Sequence, residues 1–256
     1  MRQGTVELFD RGTGRPILFL HCGEGLEPSL PLLERLARNG RVVAASHPGF
    51  GRSDLPAGFA RVDDLAYFYL DLLSHLDLRD TLLVGASFGA WIALEIAVRS
   101  TARLRGLVLA DAVGLRFATD ETAVEIVDIY DIPQDDLDRR SYVEPQRWRR
   151  SYDAYSDEEL MVIARNREAH CLYGWSPYMH NPGLRRWLHR IDVPSLVLWG
   201  EADGIVSADY GRALAAALPK ARFATIAGAA HHPHIEQPDR FAAAVDEFLR
   251  GIGAAR

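Results

Sequence analysis

Five consecutive residues constrain this chain more than any others: Gly85-Ala86-Ser87-Phe88-Gly89. They follow Thr81-Leu82-Leu83-Val84, an apolar run that predicts a buried strand. They lead into Ala90-Trp91-Ile92-Ala93-Leu94-Glu95-Ile96-Ala97, which predicts a helix. A G-x-S-x-G pentapeptide at such a strand-to-helix turn is a nucleophile elbow. The turn is tight enough to force the serine into a strained backbone conformation. Gly85 and Gly89 belong there because a side chain at either position would collide across the turn. Ser87 then stands clear of a sheet, above the N-terminus of the next helix. The backbone N–H of Phe88 and the positive end of that helix face any anion formed at Ser87.

The rest of the chain supplies the sheet that such a turn needs. Strand and helix patterns alternate, which predicts an α/β fold with a mostly parallel twisted sheet and helices on both faces. Val6 to Phe9 predicts an edge strand, turned by Asp10-Arg11-Gly12-Thr13-Gly14. Buried strands are expected at Ile17–Leu20 and Val42–Ala45, and further strands at Leu107–Ala110, Ser195–Trp199 and Phe223–Ile226. Leu65, Phe68, Tyr69, Leu72, Leu73 and Leu76 form one apolar helical stripe. A last helix is expected from Pro238 to about Leu249.

From Gly114 the alternation stops. Residues 114–190 carry helical patterns and no convincing strand, which predicts a helical insertion, a cap, in a core made of 1–113 and 191–256. Ser156 with Glu159 makes a capping box for a helix ending near Gly174. Leu184, Trp187, Leu188 and Ile191 form a short amphipathic stripe.

Composition narrows the partners. A chain of 256 residues can bury a sizeable core, and its net charge of −6 argues against non-specific binding to nucleic acid or anionic membrane. The run Arg139-Arg140 to Arg147-Trp148-Arg149-Arg150 is basic and aromatic, but Asp128, Asp131, Asp135, Asp136 and Asp138 largely cancel it. No apolar run reaches membrane-spanning length, and Met1 to Glu7 contains no signal-peptide core. Cys22 and Cys171 are too few for a disulfide scaffold. These features predict a cytoplasmic protein with reduced thiols. The sequence leaves the oligomeric state open.

A serine hydroxyl needs a base, and the base needs a carboxylate to fix its tautomer. Two later strand ends offer them. Asp203 lies just past the Ser195–Trp199 strand, in Gly200-Glu201-Ala202-Asp203. His231 lies after Phe223–Ile226, in Gly228-Ala229-Ala230-His231-His232-Pro233. Catalytic groups of open α/β sheets gather at such carboxyl ends. Asp111 ends the strand after the elbow helix and is a rival acid, its alternative being a carboxylate that binds loop amides. His232 and His234 compete with His231 as rim or core residues, and a metal site among the three lacks a matching carboxylate.

With these residues in register, the chain resembles the α/β-hydrolase superfamily over nearly its whole length. His21-Cys22-Gly23 resembles the HG-x oxyanion loop, with Cys22 where the pair usually has Gly. Pro48-Gly49-Phe50-Gly51-Arg52-Ser53 resembles the P-G-x-G-x-S loop, Gly200-x-x-Asp203 the acid turn, and His231-x-x-x-x-Glu236-x-Pro238 the histidine loop. The resemblance implies Ser87 as nucleophile, His231 as general base and Asp203 as orienting acid, with an oxyanion hole from the N–H groups of Phe88 and Gly23. It implies hydrolysis of a carboxylic ester or related acyl compound with neither cofactor nor metal. An aspartate nucleophile would be expected for a haloalkane dehalogenase or epoxide hydrolase, and Ser87 argues against both.

Two alternatives share the fold: a carbon–carbon hydrolase of a vinylogous diketone, and a ligand-binding receptor. His232 stands where the carbon–carbon hydrolases often carry an aromatic residue. Glu236 is expected to order its loop, and Cys22 to be a small buried hydrophobe. Trp148, Tyr152, Tyr155, Trp175 and Tyr178 are candidates to wall a pocket for a small, apolar acyl substrate.

Overall fold

A computed structural model describes residues 4–120, 123–149 and 151–254. Arg150 of the basic run and Met1–Gln3 lie outside the described residues. Seven strands form one sheet: β1 (Leu8–Arg11), β2 (Pro16–Leu20), β3 (Arg41–Ala45), β4 (Thr81–Ala86), β5 (Leu104–Ala110), β6 (Ser195–Gly200) and β7 (Ala221–Ile226). Their order is β1-β3-β2-β4-β5-β6-β7. Only β1 runs antiparallel, against β3; the other pairs are parallel. The strands of the centre are buried end to end because both faces are covered.

The helices are α1 (Leu30–Leu36), α2 (Val62–His75), α3 (Phe88–Arg99), α4 (Gln134–Ser141), α5 (Pro145–Trp148), α6 (Asp157–Gly174), α7 (Ala208–Ala217), α8 (Pro233–Glu236) and α9 (Pro238–Ala254). The period-two alternation of each strand sorts its side chains between two cores. Leu18, Leu20 and Leu83 point to the face covered by α2, α3 and α7. Ile17, Phe19, Leu82 and Val84 point to the face covered by α1 and α9.

The edge strand departs from expectation. It covers Leu8–Arg11 rather than Val6–Phe9, because Asp10 and Arg11 pair with Val43 and Val42 of β3. Asp10 also takes a two-pronged bond from Arg41, at 2.9 and 2.7 Å, so the turn starts only at Gly12. The final helix outlasts its expected end at Leu249, since the stripe Phe241, Val245 and Phe248 continues to Ile252 against the core.

Among the described residues of 114–190 the elements are helical: α4, α5, α6 and two short 3-10 turns, Tyr152–Ala154 and Arg185–Arg190. The Ser156–Glu159 capping box starts α6 as expected. Leu184, Leu188 and Ile191 are buried, whereas Trp187 of the same stripe is exposed. The acidic and basic residues here pair with one another: Arg140 with Asp136 at 2.8 Å and Arg149 with Asp135 at 2.7 Å.

Candidate active site

The chemistry-bearing loops leave the carboxyl ends of five adjacent strands, so the sheet itself sets their spacing. Ser87 follows the central β4, and its N–H still donates to Ala110 O of β5 at 2.8 Å. Its φ of +50° and ψ of −112° fall outside the regions that L residues favour, which is the strain the sequence predicts. Gly89 makes the turn feasible: a Cβ there would strike the carbonyl oxygens of Leu20 and His21.

Ser87 Oγ lies 2.8 Å from His231 Nε2, and His231 Nδ1 lies 2.9 Å from Asp203 Oδ2. The second oxygen of Asp203 accepts the N–H groups of Ile205 and Val206, at 2.8 and 3.0 Å. A carboxylate anchored on one oxygen presents the other to the imidazole in a fixed direction. Glu236 holds the histidine loop by accepting Ala230 N–H at 2.7 Å and Val143 N–H at 2.8 Å.

Asp111 takes a different place. Its Oδ1 accepts Gly200 N–H at 2.8 Å, fastening β5 to the acid turn. Burial, and then the Asp203 charge beside it, hold its carboxyl well above the usual carboxylate range. One ligand atom each from Asp111, Asp203 and His231 lie within 4.8 Å of one another, but the last two are already committed to the hydrogen-bonded chain that ends at Ser87.

Gly23 and Phe88 flank the serine. Two stacked histidines fix the loop that carries Gly23, with ring centroids 3.6 Å apart. His21 Nδ1–H donates to Cys22 O at 2.7 Å, so its Nε2 is free to accept His47 N–H at 2.9 Å. His47 Nε2–H in turn donates to His21 O at 2.9 Å. Burial drives His21 down to about 3 and His47 well below its usual value, so both stay neutral and keep these tautomers. Cys22 is fully buried and its carbonyl serves this network, which accommodates the cysteine at a position where the family pattern has glycine.

Sequence reasoning missed His170. It descends from α6 onto the site: its ring is 5.0 Å from the Phe88 ring, and a Cβ on Gly23 would lie only 2.7–2.8 Å from its imidazole atoms. Tyr130 OH bonds His170 Nδ1 at 2.9 Å. Burial, and secondarily His231, bring His170 down to about 4, so it is neutral near pH 7. The available signal was a polar stripe on α6, in which Asn166, His170 and Tyr173 recur at helical spacing and all are buried. Asn166 receives Gly51 N–H at 2.7 Å and donates to Glu24 O at 3.1 Å; Tyr173 OH donates to Pro48 O at 3.0 Å. The stripe therefore docks α6 onto the sheet-end loops.

A cavity opens above Ser87. Its floor is Gly23, Val113, Ile205, His231 and His232; Ile129, Leu137, Trp148, Tyr152, Arg167 and Tyr178, all from the segment between β5 and β6, line the walls. Tyr178 contributes its ring only, because its OH bonds Val127 O and Ile129 N–H, at 2.9 and 2.8 Å. Trp175 is a correction. It lies outside the cavity, largely exposed beside Tyr130, because α6 ends at Gly174 and the chain turns outward there. Tyr155 likewise packs on Tyr152 without reaching the cavity.

A model of the alpha/beta hydrolase family matches residues 17–244, and the chain belongs to that family. Hydrolase is the enzyme class the family supports. The chain is similar to a 2-hydroxymuconate semialdehyde hydrolase of Pseudomonas sp. (strain CF600), 28% identical over 98% of this chain and 92% of the relative. A haloalkane dehalogenase 2 of Mycobacterium tuberculosis is 34% identical, over only 42% of this chain and 38% of its own. Among solved structures, a thermophilic esterase from Thermogutta terrifontis superposes with a TM-score of 0.77 at 24% identity, covering 97% of this chain and 94% of its own. A meta-cleavage product hydrolase from Pseudomonas fluorescens IP01 gives 0.73 at 20%, covering 97% and 95%. These two share the fold. No described helix is long and apolar enough to cross a membrane.

Proposed function

We propose that the protein is a serine hydrolase that cleaves a small, apolar carboxylic ester or related acyl compound through an acyl-enzyme. The observation that carries this is the unbroken chain Ser87–His231–Asp203, with bonds of 2.8 and 2.9 Å, beneath a cavity walled by apolar and aromatic side chains. Ser87 Oγ attacks the substrate carbonyl as its proton passes to His231 Nε2. Asp203 holds Nδ1–H and stabilises the imidazolium. The backbone N–H groups of Phe88 and Gly23 receive the oxyanion, each such donor being worth about 10²–10³ in rate. His231 then returns its proton to the leaving alcohol. A water molecule, deprotonated by the same nitrogen, releases the acid and restores Ser87. The helical insertion acts as a cap that selects the acyl group. No step calls for a cofactor.

The test is labelling with a fluorophosphonate, followed by a panel of esters graded in acyl length. Labelling of the native chain and none of Ser87→Ala supports the reading. An unlabelled native chain that binds ligands without turnover would instead make it a receptor. Carbon–carbon cleavage is the second reading, favoured by the full-length similarity to a 2-hydroxymuconate semialdehyde hydrolase. Turnover of a vinylogous diketone in preference to every aryl ester would establish it.

A further inference from the structure

Beside the histidine loop, three thiol and imidazole side chains converge that the proposed reaction does not use. Cys22 comes from the loop after β2; His232 and His234 come from the loop after β7. Sγ of Cys22 and one ring nitrogen from each histidine all lie within 4.8 Å of one another, and all three residues are buried. His234 is the telling member. It is 1% exposed, and no described group hydrogen-bonds either of its ring nitrogens. Its ring sits among Phe19 at 6.2 Å, Phe241 at 6.4 Å and His232 at 5.8 Å. An apolar side chain would fill that space without stranding two polar atoms, so a buried imidazole there calls for a partner.

We propose that Cys22, His232 and His234 form a binding site for a soft or borderline transition-metal ion, Zn²⁺ above all, and that occupancy slows the adjacent triad. One thiolate and two imidazoles suit Zn²⁺ and exclude Ca²⁺ and Mg²⁺, which need oxygen ligands. Closing the ligand atoms onto a zinc ion takes side-chain movements of about an ångström, given bonds of about 2.0–2.3 Å. His234 is free to ligate, since neither of its ring nitrogens has a hydrogen-bond partner among the described residues. An entry path exists because His232 also lines the cavity above Ser87. Binding M²⁺ expels one proton, from the Cys22 thiol to solvent, and leaves the site with a net charge of +1.

The effect on rate rests on the proposed function; the binding does not. His232 and His231 have ring centroids 5.0 Å apart. A net positive charge at that range opposes the imidazolium His231 must become when it takes the serine proton. Through an effective protein dielectric this lowers kcat by about tenfold or more. His231 itself stays outside the proposed site, because it is bonded to Asp203 and Ser87.

The experiment is a Co²⁺ titration of the reduced, chelator-stripped full-length protein, read by absorbance, with Zn²⁺ as competitor. One equivalent of Co²⁺ should raise a near-ultraviolet thiolate-to-cobalt band that Zn²⁺ abolishes. Cys22→Ala, shown folded by circular dichroism, should lose the band. His234→Phe, which fills the apolar site, should loosen binding by at least the roughly 100-fold that a lost supporting group costs. Ester turnover of the native chain should fall with Zn²⁺ and return with chelator, while His234→Phe should need at least about 100-fold more Zn²⁺ for the same fall. Absence of a thiolate band in the folded native protein overturns the site. So does a band that survives Cys22→Ala, which would belong to Cys171, or cobalt held without sulfur by Asp111, Asp203 and His231. A protein without turnover still reports on the metal through the optical titration, so the two readings fail separately.

Discussion

The floor of the cavity and its walls are built on opposite terms. On the floor, the chemistry-bearing side chains leave the ends of adjacent strands, and the loops and acids that hold them are tied down by further hydrogen bonds. Asp203 is pinned by two amides, Glu236 by two, and the Gly23 loop by the His21–His47 pair. The walls come from helices and turns that pack by a few anchors on α6, and their aromatic residues are partly exposed; Tyr152 is 40% exposed. The contrast teaches that the chain fixes where a bond is broken much more rigidly than what is held while it breaks.

The strongest way to break that contrast is at the floor. Ser87→Ala should cut kcat by about 10⁶-fold while leaving KM within a few-fold, as expected when an interaction made only in the transition state is lost. Asp203→Asn should cost about 10⁴-fold, because the amide offers His231 a donor where it needs an acceptor. If Asp203→Asn retained most of the native rate, Asp111 would be the working acid and the bond at 2.9 Å incidental. Single-turnover kinetics of the two variants decide this.

Acid should attack the floor before the walls. His21 and His234 are held down to about 3 and His170 to about 4, with His47 also well below 6.5, all chiefly by burial. Each is neutral when folded and takes up a proton on unfolding between its folded value and about 6.5. Their contribution is therefore complete above pH 6.5 and is lost as pH falls toward 4 and 3. Each such proton is worth about 1.4 kcal/mol per pH unit. Asp111 and Glu236, both raised by burial, act in the opposite sense and are outnumbered. Urea midpoints should thus fall steadily from pH 7 to pH 5; a flat profile would mean the buried imidazoles are already charged. Three of the four histidines lie on the floor and only His170 on α6, so His170→Phe should remove only a minor part of the slope.

The same contrast explains what could be read from the sequence. The elbow was legible because two glycines and a serine between a strand and a helix leave the backbone one arrangement. Asp203 and His231 were legible because each follows a strand at a short distance, and strand ends converge by topology. The walls obey no such rule. Trp175 and Trp148 carry the same chemistry, yet only Trp148 lines the cavity, since this depends on where α6 stops and the chain turns. His170 was hidden among polar neighbours whose shared buried face becomes evident only once α6 has a partner. The edge strand slipped because the charged pair Asp10–Arg41 resembles turn chemistry when its cross-strand partner is out of view.

The smallest expected effects therefore lie in the walls, and the two tryptophans test them together. Trp148 stacks on Tyr142 with ring centroids 6.1 Å apart and faces the cavity. Trp148→Ala removes apolar contact that substrate and transition state use equally, so KM should rise about tenfold with kcat nearly unchanged. Trp175→Ala, outside the cavity, should leave both constants within twofold and serve as the control of equal chemistry. A fall in kcat with Trp148→Ala would mean that this wall also aligns the carbonyl over Ser87, and the division between a rigid floor and a permissive wall would have to be redrawn through α5.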